Sequence, residues 1–165
     1  MKHLRPALFS LLLSTSLLSC AQTKSGIRNI YAYRAVRMHG TIAVDENGKP
    51  LMAAADTLHM IYVETDRQGI AWDHAWKDNK TYNITATLVS QIPIEVGREK
   101  GSQKNISIRP SKGSQLWLLE FSPAKDVAPP RRINPGAIML RYKLKNTKFL
   151  RIIPHQTELS LPDAV

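Results

Sequence analysis

The stretch Thr81-Tyr82-Asn83-Ile84-Thr85-Ala86-Thr87-Leu88-Val89 sets the fold class. Tyr82, Ile84, Ala86 and Leu88 alternate with Asn83, Thr85 and Thr87. Successive side chains of a strand point to opposite faces, so period two marks a strand with one face on a core and one in water. Upstream, Leu58–Thr65 (LHMIYVET) is rich in β-branched and aromatic residues, which favour pleated surfaces. Downstream, Ile92–Val96, Asn105–Arg109 and Gln115–Phe121 read the same way. Ala137–Lys145 and Lys148–Pro154 form a hairpin around Asn146-Thr147, and Arg28–Val44 alternates less regularly. Asp45–Pro50 contains Asn47-Gly48, a strong turn signal because both residues tolerate positive φ. Pro123–Pro135 (PAKDVAPPRRINP) holds four prolines and reads as a loop crossing. Together these elements predict an all-β fold: a single β-sandwich of about seven to nine strands, immunoglobulin- or transthyretin-like. One segment departs from the pattern. Trp72 and Trp76 in Ile70–Lys77 stand four apart, as on one face of a helix, which predicts a short helical segment over one end of the sheet.

The N-terminal segment carries an address. Lys2, His3 and Arg5 precede an apolar run from Ala7 to Leu18, the layout of a secretory signal. The run is interrupted by Ser10, Ser14, Thr15 and Ser16 and is too short to span a bilayer, which takes about 20 apolar residues. Leu17-Leu18-Ser19-Cys20 resembles the lipobox of bacterial lipoproteins. The resemblance implies cleavage before Cys20, lipidation of that residue and a membrane anchor. Cys20 is the sole cysteine, and a lone thiol in an exported protein has no disulfide to form. The alternative is a cut after Ala21 and ordinary secretion. In the lipoprotein reading, residues 1–19 are a signal peptide, 20–27 a lipid-anchored tether and 28–165 one domain. Ala21, rather than aspartate, follows the cysteine; in the resemblance this implies an outer-membrane lipoprotein facing the periplasm, the alternative being a soluble periplasmic or secreted protein.

Charge narrows the partners. Lysine and arginine exceed the acids by ten, and loss of Lys2 and Arg5 with the signal leaves +8. A cytosolic protein so basic would suggest nucleic acid; export turns the expectation toward membrane, anionic lipid or glycan, or an envelope protein complex. Arg98, Lys100, Lys104 and Arg109 cluster across a loop and short strand, with Lys112 beyond them. Arg141, Lys143 and Lys145 alternate with Leu140, Tyr142 and Leu144, which puts the three cations on one strand face. Charges of this kind also guard sheet edges against aggregation.

Other constellations carry less chemistry. His39, His59, His74 and His155 lack the local spacing of a zinc site, so neither a metal nor a cofactor is expected. No Gly-x-Ser-x-Gly elbow is present, and the acids Glu64 and Asp66 share one strand end rather than flanking a cleft, so no enzyme is expected. Trp72 and Trp76 offer apolar faces for stacking a glycan; their structural reading is core packing. Asn83-Ile84-Thr85 and Asn105-Ile106-Ser107 match glycosylation sequons that a bacterial protein leaves idle.

Gly40–Leu51 (GTIAVDENGKPL) resembles the opening of carboxypeptidase-regulatory-like domains, with one residue too many between Gly40 and Asp45. These are small transthyretin-like β-sandwiches of cell-envelope proteins, so the resemblance adds to the sandwich expectation. The functional expectation is a non-catalytic cell-envelope lipoprotein acting in binding or assembly of an envelope complex. The alternative is a carbohydrate-binding or carbohydrate-processing envelope lipoprotein.

Overall fold

Ile61 and Val63 pack into one core while their neighbours Tyr62 and Leu116 pack into another. Apolar residues in unbroken runs, as in Met60-Ile61-Tyr62-Val63, therefore mark strands buried on both faces. The computed structural model describes residues 25–38, 43–51, 55–125 and 127–160. Cys20 and its signal, His39 and the Gly40–Ile42 part of the regulatory-domain resemblance lie outside the described residues.

The described chain is all-β, with ten strands in one curled mixed sheet that forms a half-barrel. They are β1 (Ile27–Met38), β2 (Ala55–Thr65), β3 (Ile70–Lys77), β4 (Lys80–Leu88) and β5 (Ile94–Glu99), followed by β6 (Asn105–Ile108), β7 (Gln115–Pro123), β8 (Ile138–Leu144), β9 (Thr147–Ile153) and β10 (Thr157–Ser160). Their order is β6-β5-β10-β1-β2-β7-β4-β3-β8-β9. All neighbours pair antiparallel except β1 and β10, which run parallel with Tyr33 opposite Thr157.

Curling creates the first core. Ile27, Ile61, Val63, Leu119, Leu140 and Ile153 meet inside the curl of β1-β2-β7-β4-β3-β8-β9. The second lies on the outer face of β1, β2 and β7, where Tyr33, Ala35, Tyr62 and Leu116 are covered by Ile108 of β6 and Leu159 of β10. Each fully buried aliphatic side chain contributes about 1.5–3 kcal/mol. The expected sandwich of two sheets is thus replaced by one sheet, whose β6-β5-β10 end covers the back of β1-β2-β7.

The expected helical segment is β3. Trp72 pairs with Tyr142 and Ala75 with Leu140, so three residues of β3 advance against two of β8. This bulge flips the face: Trp72 and Ala75 pack on the inner core, while Trp76, opposite Met139, points outward. In a regular strand a spacing of four would put both tryptophans on one face; the extra residue puts them on opposite faces.

One turn forms where the sequence places it, and a second falls at Lys145-Asn146, one residue before the expected Asn146-Thr147. Asp45 accepts hydrogen bonds from the amides of Asn47 and Lys49 at 2.9 and 2.8 Å, and Gly48 sits at φ +75°. Leu144 pairs with Thr147 across Lys145-Asn146, with Lys145 at φ +56°.

Candidate binding site

Arg34 of β1 lies opposite His59 of β2, past the middle of β1 from Ile27. There a recess of about 480 Å³ opens between β1, the proline-rich crossing and the β9–β10 connection. Arg34, Arg132, Asn134, His155 and Gln156 line it. Beneath them runs a chain of hydrogen bonds. His59 Nδ1 donates to Gln156 Oε1 at 2.6 Å, since an amide oxygen only accepts, and this sets the tautomer. Gln156 Nε2 donates to the Gly136 carbonyl at 3.4 Å, and the Gly136 amide donates to Asp78 Oδ1 at 3.1 Å. Four separate segments are tied together at this floor. Burial pushes the His59 pKa down, aided by the charges of Lys77 and Arg34 and opposed by the Gln156 bond and Asp78. His59 therefore stays neutral at pH 7, while Arg34 and Arg132 carry positive charge into the recess. Arg34 Nη2 donates to Glu158 Oε2 at 2.9 Å, and Lys100 Nζ binds the same carboxylate at 2.5 Å. These two cations hold the Glu158 pKa below its usual value. A recess with this lining suits an anion.

The residues singled out from sequence fall in several places. Arg98, Lys100, Lys104 and Arg109 sit on or beside the exposed β5–β6 hairpin. Arg141, Lys143 and Lys145 belong to β8 and the turn after it, at the other end of the strand order. Of the second three, Arg141 and Lys143 share the face of β8 opposite the core residues Leu140 and Tyr142, as their alternation predicts. Lys143 is exposed on β8, Lys145 is in the turn, and Arg141 is half-buried. Arg141 Nε donates to Asp73 Oδ2 at 2.7 Å, and its guanidinium lies 4.9 Å from the centre of the Trp76 ring. His74 stacks on that ring at 6.0 Å and bonds to Asp73. Burial disfavours the charge on Asp73, but bonds from Arg141 and His74 outweigh it and lower its pKa.

The two tryptophans face opposite sides of the sheet. Trp72 is half-buried against Tyr142 at 5.6 Å. Trp76 is 1 % exposed, and its Nε1 donates to the Val127 carbonyl at 2.7 Å beneath the proline-rich crossing. Thr81 Oγ1 donates to the same carbonyl at 3.0 Å, so one loop residue covers both side chains.

Sequence reasoning overlooked Arg34, Arg132, His155 and Gln156 as a group because they come from three segments that only the curl brings together. Arg131-Arg132 within a proline-rich loop was the single local signal. Among the described residues, no group of three or more His, Cys, Asp or Glu is placed to hold a metal ion. In comparisons with known proteins, no family model, curated protein or solved structure matches the chain significantly.

Proposed function

We propose that this protein is a non-catalytic cell-envelope lipoprotein, anchored through Cys20, that binds an anionic partner within an envelope complex. The lipobox-like Leu17–Cys20 supports the anchor, and the periplasmic face of the outer membrane is its place. The observation that carries the binding role is the recess, where Arg34, Arg132 and His155 line one opening above a floor of fixed hydrogen bonds. A rigid basic rim of this kind speeds encounter with an acidic partner and sets its orientation.

Two measurements test this reading. Cys20→Ser should move the protein from the membrane fraction of native cells to the soluble fraction; unchanged fractionation rules out the lipid anchor. A photoreactive side chain at His155 should capture a discrete partner in the native envelope, and Arg34→Glu with Arg132→Glu should abolish capture. A probe at exposed Thr85 on the far face of β4 should capture none. Equal capture from both positions would defeat the recess as the binding site.

A further inference from the structure

Strand parity leaves the curl an odd number of strands short of closure. Seven strands, β1-β2-β7-β4-β3-β8-β9, follow one another with every pair antiparallel. Directions alternate along such a run, so the first and seventh strands point the same way. An all-antiparallel closed barrel needs an even number of strands. Here β1 and β9 face each other across the seam with no ladder between them. On the seam side, β10 pairs with β1 only at Tyr33, Arg34 and Ala35. Residues 27–32 of β1 and the outer edge of β9 have no strand partner on that side among the described residues.

A second recess, about 440 Å³, occupies this seam. Its lining is unlike that of a pocket on a sheet face. Six consecutive residues of β1, Arg28 to Tyr33, and consecutive residues Arg151 to Ile153 of β9 border it. Side chains of consecutive strand residues point to opposite faces. A recess lined by both parities therefore runs along strand edges, where unpaired amides and carbonyls are presented. Unpaired edges recruit extended chains.

We propose that this seam takes one extended segment of a partner protein, antiparallel to both β1 and β9, as the eighth strand of the curl. The proposal rests on the anionic-partner reading above and specifies the shape of that partner. Arg28, at the β1 bulge, and Arg151 flank the open end of the seam, while Ile30 and Ile153 follow two residues further along each strand. Ile30 and Ile153 pack in the inner core. The segment should carry an acid at one position and an apolar residue two positions earlier, on the same face. Antiparallel insertion puts the acid toward the segment's C-terminal end.

The probe is a fluorescein-labelled hexapeptide, Thr-Val-Thr-Val-Thr-Asp, titrated by fluorescence anisotropy into the full chain in detergent. The expected result is saturable binding, weakened at least tenfold by Arg28→Glu with Arg151→Glu. N-methylation of alternate peptide amides should weaken it equally, with no change to the protein. The reversed sequence Asp-Thr-Val-Thr-Val-Thr should bind at least tenfold more weakly. Absence of binding by the hexapeptide overturns the proposal. So does binding that is lost with the arginines but survives N-methylation, which would leave the anionic-partner reading standing without the strand. Binding indifferent to both changes overturns the seam as the site.

Discussion

Glu64 and Asp73 are both held ionised, but by opposite means. Glu64 is completely buried and is bound by neutral donors: Asn29 Nδ2 at 2.7 Å, the Ser111 amide at 2.9 Å and Tyr31 OH at 3.2 Å. Burial opposes its charge, yet these bonds prevail and bring its pKa down to about 2. Asp73 keeps about a quarter of its side chain in water and is held by Arg141 and His74. Where burial is complete, a cation would bring its own large desolvation cost, and fixed amides avoid it. Where water still reaches, a guanidinium is cheap and also stacks on Trp76. The difference has a functional consequence. Arg141 is engaged at the bulge of β3, through Asp73 and Trp76, rather than offered to a partner.

The largest effect should come from Glu64→Gln. It introduces an amide NH₂ among donors already aimed at the carboxylate and should cost about 2–3 kcal/mol. At roughly 2–4 °C per kcal/mol for a domain of this size, thermal unfolding should fall by about 5–10 °C. The sign of the pH dependence follows from the depressed pKa. The stabilisation is complete above the ordinary value of 4.5 and disappears as pH falls through about 2. Wild type should lose stability across that window and the variant should lose much less. A constant gap between them from pH 7 to 2 would show that Glu64 is not held as the anion.

Asp73→Asn should cost less, about 0.5–1 kcal/mol, because the pair is partly solvated. Arg141→Met should cost a similar amount and shift the Trp76 emission, since the stacked cation is lost. In a double-mutant cycle the two should couple; strict additivity would separate Asp73 from Arg141 energetically.

The smallest change belongs to His59. Its pKa is lowered, so the neutral form favours folding; that contribution is complete above 6.5 and is lost as pH falls through the lower folded value. His59→Gln should flatten the stability profile just below pH 6.5 and leave pH 8 stability nearly unchanged. A profile identical to wild type would remove His59 from the acid response.

Much of the strand content was legible because it is local. The alternation of Tyr82, Ile84 and Ala86 appears in β4, Asn47-Gly48 turns the chain, and the expected β8–β9 hairpin forms with its turn one residue early, at Lys145-Asn146. β3 misled because Trp72 and Trp76 stand four apart, a spacing common to a helix face and to a strand face, and the bulge between them leaves no local mark. β10 left little trace: Thr-Glu-Leu-Ser is four residues with one buried apolar side chain, Leu159. The recess and seam were illegible for a stronger reason. They depend on which strands curl to meet, and nothing in the local spacing of Arg28, Arg34, Arg132 and Arg151 encodes that meeting.

The parallel pairing of Tyr33 with Thr157 sets an order on how this molecule is made. β10 is the strand that joins the β5–β6 hairpin to the rest of the sheet, and it pairs with residues more than a hundred positions earlier. Closing so long a loop is entropically costly and slow. While residues 157–160 are still missing, Tyr33, Tyr62 and Leu116 lack Leu159 as a partner and the hairpin has no sheet to join. A nascent chain can curl β2, β7, β4, β3, β8 and β9 together beforehand, but its outer core waits for four residues. Until that late step, apolar surface and strand edges stay open to non-native contacts.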